Sequence, residues 1–347
     1  MIKVKILNPT LGRNEITFRP LIQNRNRLKD YSIDITDSDD YDFLFVGMHD
    51  FLDKKKTLEE SIDYGLSSLS KISGDYFLFD GSDSTSLMGS YEVFSQSNAI
   101  YLFKNQLLKS RDLYKNKTAF NKWFFGSGSN LDLSYDISSE QWDRIKLSNI
   151  NCGRTIFGTG LDPASIKWME PKADRDIDIC AIFQTYHDEC RDHGVRNDIP
   201  YINHRKEVWD RLSNLENKYN IISKKLPFQE YIQKLSNSKV CISPFGQGEL
   251  CFRDYEAMLT GTLLIRPDQS NVITSPNIFE EGETYLGCKL DWSDLEEKIE
   301  YALSNFNELN DKFTSNIRDK FMNEYTIDNF CMNYYNMFNK LETIQVT

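Results

Sequence analysis

The segment Ser243–Ile265, SPFGQGELCFRDYEAMLTGTLLI, crowds Gly246, Gly248, Glu249, Arg253, Asp254 and Glu256 into one turn between two apolar runs. A strand over Val240–Ser243, a turn at Pro244–Gly248 and a helix opening at Glu249 or Leu250 follow from this pattern. The two glycines let the backbone come close to a ligand and leave N–H groups free at the helix start, which is an anion site. Arg253 falls in or near the first turn, and Glu256 lies three residues on along the same face. A guanidinium beside an anion site, with a carboxylate able to accept two hydroxyl hydrogen bonds, suits a diphosphate joined to a ribose. An exposed i,i+3 ion pair of roughly 0.2–0.5 kcal/mol accounts for Arg253 and Glu256 equally well. It accounts neither for the Gly-Gln-Gly turn nor for the apolar second face of EAMLTG.

Two strand ends in the first half carry groups suited to a general base. FLFVGMHD ends on His49 and Asp50, and YFLFDGSDSTS carries Asp80 and Asp83. His49 and Asp83 are the candidates. Asp80, followed by Gly81, reads as a turn, since an Asp after an apolar strand is commonly an Asx-turn or a cap. Two Asp-x-Asp strings, Asp37–Asp39 and Asp176–Asp178, offer paired carboxylates for a divalent ion on a diphosphate. The first sits in an acidic loop and the second precedes its strand, so both read as solvated turns and no metal is expected.

The elements that hold these groups alternate β and α. In the first half the strands are Ile2–Leu7, Ser32–Ile35, Tyr41–Val46, Tyr76–Phe79 and Ile100–Phe103, with helical spacing over Phe18–Leu28 and Leu58–Ile72. After a Gly- and Pro-marked stretch the alternation restarts. The strand in DIDICAIFQ precedes a helix capped by Asn203; NIISK precedes a helix opened by Pro227; KVCISP leads into the segment above. TLLIR, TYLGCKL, a helix over WSDLEEKIEYALSN and two long amphipathic helices, Leu309–Tyr325 and Ile327–Leu341, complete the chain. Repeated β–α alternation with short connections predicts an α/β fold with two doubly wound, Rossmann-like domains facing a cleft.

The 347 residues and 13% aromatic content agree with two domains that have proper cores. A net charge of −11 without a basic block argues against nucleic-acid binding. Seven scattered cysteines without C-x-x-C, and four histidines without H-E-x-x-H, read as reduced thiols and no zinc site. MIKVKILNPT lacks the apolar core of a signal peptide, and no apolar run reaches the ~20 residues of a membrane span. A cytoplasmic protein is the expectation.

EAMLTGTLLI resembles the nucleotide-sugar segment of GT-B glycosyltransferases, and SPFGQGELCFRDYEAMLTGTLLIRPD resembles the exostosin-like and related branch. YLGCKLDWSDLEEKIEYAL is similar to that group's closing strand and helix. The resemblance is specific over Lys239–Leu303, weaker over Asp176–Ser238 and architectural before that. It implies transfer of a sugar from a nucleotide-diphosphate sugar to an acceptor hydroxyl of a glycan or glycoconjugate, with no cofactor. It implies that Glu256 binds the ribose and Arg253 the diphosphate. Gly246 and Gly248 would form the backbone cradle, and His204 and Arg205, at a helix start, would add basic groups. Many retaining members carry an acid eight residues before the Glu. Here that position is Gly248 and the acid is Glu249, so stereochemistry does not follow. The implied domains are 1–168 for the acceptor, 169–325 for the donor, and a helix over 326–347 returning to the first. A nucleotide-sugar 2-epimerase on the same fold and a catalytically silent sugar-nucleotide or glycan-binding module are the alternatives.

Overall fold

Strand β1 (Ile2–Ile6) shows how the first sheet is built: Ile2, Val4 and Ile6 are buried, while Lys3 and Lys5 pair with the acidic loop at Asp40 and Asp39. The computed structural model describes residues 1–8, 14–48, 51, 57–82, 84–115, 134–148, 174–183, 200–246 and 248–345. Strands β2 (Ile33–Thr36), β3 (Phe43–Gly47), β4 (Tyr76–Asp80) and β5 (Leu102–Lys104) follow, then β6 (Gln106–Leu108) and β7 (Ile145–Leu147). The first sheet runs β2-β1-β3-β4-β5-β7, parallel throughout. β3 and β4 are apolar without alternation up to their last residues because both faces of a parallel sheet are covered.

The helix Leu58–Leu69 starts where its capping box dictates. Glu60 N donates to Thr57 Oγ1 at 3.1 Å, and Thr57 N donates to the Glu60 carboxylate at 2.7 Å. The single helix expected over Phe18–Leu28 is instead two, Asn14–Gln23 and Arg25–Asp30. Pro20 lies inside the first, and Asn24, between them, donates its side-chain N–H to the Pro20 carbonyl.

The second unit contains β8 (Ile177–Cys180), β9 (Ile221–Ile222), β10 (Ser238–Ile242), β11 (Leu263–Pro267), β12 (Val272–Thr274) and β13 (Leu286–Cys288). Its sheet order is β13-β11-β10-β8-β9, again all parallel. Both sheets therefore grow outward in two directions, from β1 in one and β8 in the other. In each, the order reverses beside that first strand, between β1 and β3 and between β8 and β10. Such switch points open a crevice at the strands' carboxyl ends, where ligands of this architecture bind.

Two apolar clusters cover the faces of the first sheet and a third forms the core of the second unit. The final helix, Ile327–Gln345, packs on the first sheet: Phe330, Cys331, Tyr334 and Phe338 lie among Phe43, Phe45 and Phe77. The Phe338 and Phe43 rings stack at 5.2 Å, and Arg27 forms an ion pair with Asp328 at 2.6 Å. The boundary expected near 168 falls outside the described residues. The two units also share an antiparallel pair, β6 with β12, which periodicity did not reveal. No helix among the described residues is long and apolar enough to cross a membrane.

Candidate functional site

The segment Ser243–Glu256 leaves β10 on one side of the second sheet's switch point, and Ile182–Phe183 leave β8 on the other. The helix begins at Phe252, with Cys251 before it, rather than at Glu249 or Leu250. Arg253 is consequently its second residue. Its guanidinium joins the two loops: Nε donates to the Ile182 carbonyl at 3.1 Å, and Nη1 donates to Ser243 Oγ at 3.2 Å and the Pro244 carbonyl at 3.3 Å. The Phe183 ring lies 5.4 Å from it. Among the described residues Nη2 has no acceptor.

Glu256 stands one turn further along the helix, half-buried. Tyr231 Oη donates to its Oε2 at 2.8 Å, and among the described residues no group donates to Oε1. Burial raises its pKa, opposed by the Tyr231 hydroxyl and by Arg253. Arg253 and Glu256 form no ion pair within 4.0 Å among the described residues, so each retains hydrogen-bonding capacity.

A buried network fixes the turn ahead of them. Asp254 accepts from Ser243 Oγ at 2.6 Å and from Cys251 N at 2.8 Å, and pairs with Arg266 at 3.2 Å. Arg266 is itself enclosed, with the Phe279 ring 4.5 Å from its guanidinium carbon. Gly246 is closely packed: a Cβ there would lie 3.0 Å from Cys251 Sγ, a tight contact, and 3.5 Å from Arg205 Nη2. Its N–H is not free for an anion, because it donates to the Gly248 carbonyl at 3.0 Å. Gly248 is buried within the same turn. Arg205, in the second turn of the helix Pro200–Ser213 rather than at its start, donates from Nε to the Phe245 carbonyl at 2.8 Å, which brings its charge to the turn.

His204 is a correction. The helix starts at Pro200, so His204 lies in its second turn rather than at its first residue. Its ring stacks on Phe245 at 5.3 Å and accepts a hydrogen bond from Trp292 Nε1 at 3.2 Å. Burial, with Arg205 adjacent, pushes its pKa down to about 3, so at neutral pH it brings no positive charge to a diphosphate. A histidine whose folded pKa is depressed stabilises fully above its unfolded value and loses that contribution as pH falls from about 6.5 toward 3. His204→Phe should therefore melt lower at pH 7.5, having lost the acceptor for Trp292, yet decline less steeply through that window. Thermal melts of both proteins from pH 7.5 to 4 check this, and parallel slopes would contradict it.

Glu249 is a second correction. It is 2% exposed and turned toward the first unit. Thr85 N and Thr85 Oγ1 donate to its carboxylate at 2.9 and 2.7 Å, and Gln106 Nε2 donates at 2.7 Å. With those acceptor sites taken, its carboxylate ties the turn after β10 to the first unit. The same bonds bring the loop after β4 against the turn after β10, which places the carboxyl-end loops of the two sheets together. Asp83, two residues before Thr85, and His49 lie outside the described residues. Asp80 is buried against Lys104, whose Nζ is 2.7 Å away, and accepts from Ser82 N in the Asx-turn its sequence suggested. Of the Asp-x-Asp strings, Asp39 is paired with Lys5 and Asp178 with Lys239.

Sequence reasoning missed Tyr231, Thr85 and Gln106. All three meet the segment through contacts 25 to 164 residues apart, which no local pattern encodes.

Two Rossmann-like units with their carboxyl-end loops in contact make this a two-unit α/β fold. No protein-family model and no curated protein sequence matches the chain. Among solved structures it is similar to a glycosyltransferase from Rickettsia africae ESF-5, at 13% identity over 98% of both chains with a TM-score of 0.44. A sucrose-phosphate synthase from Thermosynechococcus elongatus aligns at 11% identity over 99% of this chain and 100% of its own, TM-score 0.48. Anabaena HepE in complex with UDP-glucose aligns at 10% identity over 98% and 100%, TM-score 0.49.

Proposed function

We propose that this protein transfers a sugar from a nucleotide-diphosphate sugar to an acceptor hydroxyl of a glycan or glycoconjugate, in the manner of the exostosin-like branch its sequence resembles. The observation that carries this reading is Arg253, whose guanidinium spans the switch point of the second sheet, one helical turn from Glu256, with Nη2 and Glu256 Oε1 both unengaged among the described residues. A diphosphate on the guanidinium and a ribose diol on the carboxylate are the ligand groups that match those two atoms. The second unit then holds the donor, and the first presents the acceptor and the base, with His49 and Asp83 as candidates for the latter.

In this mechanism the reaction is assisted where charge develops. As the sugar–phosphate bond breaks, negative charge grows on the leaving diphosphate, which Arg253 and Arg205, both bonded to the turn after β10, would stabilise. No cofactor takes part and no divalent ion is required. Activity should accordingly persist in EDTA; loss on chelation with recovery on adding Mn²⁺ would reject this and return attention to the acidic strings.

A second reading, donor binding without turnover, is favoured by one observation: the acid of the turn, Glu249, is committed to Thr85 and Gln106. Incubating candidate nucleotide sugars with the protein and following release of nucleoside diphosphate, with and without added glycan acceptors, separates the two. Release that depends on the protein supports transfer. Binding without release under every acceptor supports the silent module.

A further inference from the structure

We propose that Tyr231 is a positioning residue for the ribose-binding carboxylate: its hydroxyl holds Oε2 of Glu256 so that Oε1 is presented to a vicinal diol. The inference rests on the reading of Glu256 given above and adds the means by which that side chain is held. Tyr231 lies on the helix Phe228–Ser236, is 9% exposed and is anchored in the core of the second unit. Its Oη donates to Oε2 at 2.8 Å, and a phenol has a single O–H to give. A glutamate has three rotatable bonds, and a ligand that finds its carboxylate already fixed has less ordering to supply on binding. Among the described residues the geometry thus divides the two oxygens, Oε2 bound to Tyr231 and Oε1 without a donor.

The same contact favours the charged form needed to accept from hydroxyls. Burial raises the pKa of Glu256, while the Tyr231 hydroxyl and Arg253 oppose that rise and Asp254 adds to it. From the sheet below, Cys180 on β8 and Cys241 on β10 sense its charge, but burial pushes both thiols up and keeps them neutral. Without the phenol, burial is less opposed and the carboxylate protonates at higher pH.

The test is a calorimetric titration with the member of ADP, CDP, GDP, TDP and UDP that binds the wild type tightest, paired with its 2′,3′-dideoxy counterpart. The wild type should prefer the ribonucleotide. Tyr231→Phe should weaken ribonucleotide binding about 10-fold, leave the dideoxy compound unchanged, and shift the acid limb of ribonucleotide affinity to higher pH. Tyr231→Phe combined with Glu256→Gln should bind no more weakly than Glu256→Gln alone, because the two act through one carboxylate. A purely structural role predicts equal losses toward both ligands and overturns the proposal. A wild type that prefers the ribonucleotide, a Glu256→Gln that loses the preference and a Tyr231→Phe that retains it would overturn the positioning role alone. A wild type that binds both ligands equally, or neither, would remove the ribose reading of Glu256 and this inference with it.

Discussion

Arg253→Lys is expected to weaken nucleoside diphosphate binding roughly 10- to 100-fold, and Glu256→Gln by a similar factor. Hydrogen bonds to charged groups contribute about 1.5–3 kcal/mol, and each 1.4 kcal/mol is tenfold in affinity. The two substitutions should nevertheless differ in stability. Arg253 holds the Ile182 and Pro244 carbonyls and Ser243 Oγ in one planar fork, which an ammonium cannot reproduce while also meeting a diphosphate. Arg253→Lys should therefore lower the melting temperature as well as affinity. Glu256→Gln keeps its shape and can still accept from Tyr231 Oη, so its loss should lie almost wholly in binding. Calorimetry and melting curves on both variants decide the matter, and wild-type affinity in both would exclude this site.

Glu249→Ala should produce the largest stability loss of any single change considered. It would strip the acceptor from Thr85 N, Thr85 Oγ1 and Gln106 Nε2, all buried where the two units meet. Leaving a buried donor unsatisfied costs about 1–3 kcal/mol, so a total on the order of 3 kcal/mol is expected even with partial relaxation. Glu249→Gln, which retains one acceptor oxygen, should lose less. Urea unfolding of the three proteins measures this. If Glu249 instead contacted the donor sugar, the substitution would spare stability and depress donor binding or turnover.

The strands that position the site were legible because each is short, apolar and bounded by Gly, Pro or a cap. β3, β4, β10 and β11 sit within two residues of their expected ends for this reason. The turn after β10 was legible too, since glycines beside an Arg and a Glu are an unusual local combination. What the side chains face was not. Glu249 and Glu256 look alike as acids near a helix start, yet one is bonded to Thr85 and Gln106 of the first unit and the other has an oxygen without a donor among the described residues. His204 reads as a basic residue beside Arg205, but Phe245 and Trp292 close over it and keep it neutral. The β6–β12 pair, formed by two three-residue strands from different units, has too little length to show a period.

The most direct measurement is calorimetric titration of the wild-type protein in EDTA with ADP, CDP, GDP, TDP and UDP, repeated on Glu256→Gln for whichever ligand binds. At least one diphosphate is predicted to bind with one-to-one stoichiometry at micromolar affinity, and Glu256→Gln is predicted to lose most of that affinity. No binding of any of the five, or equal binding by both proteins, would contradict a nucleotide site on Arg253 and Glu256.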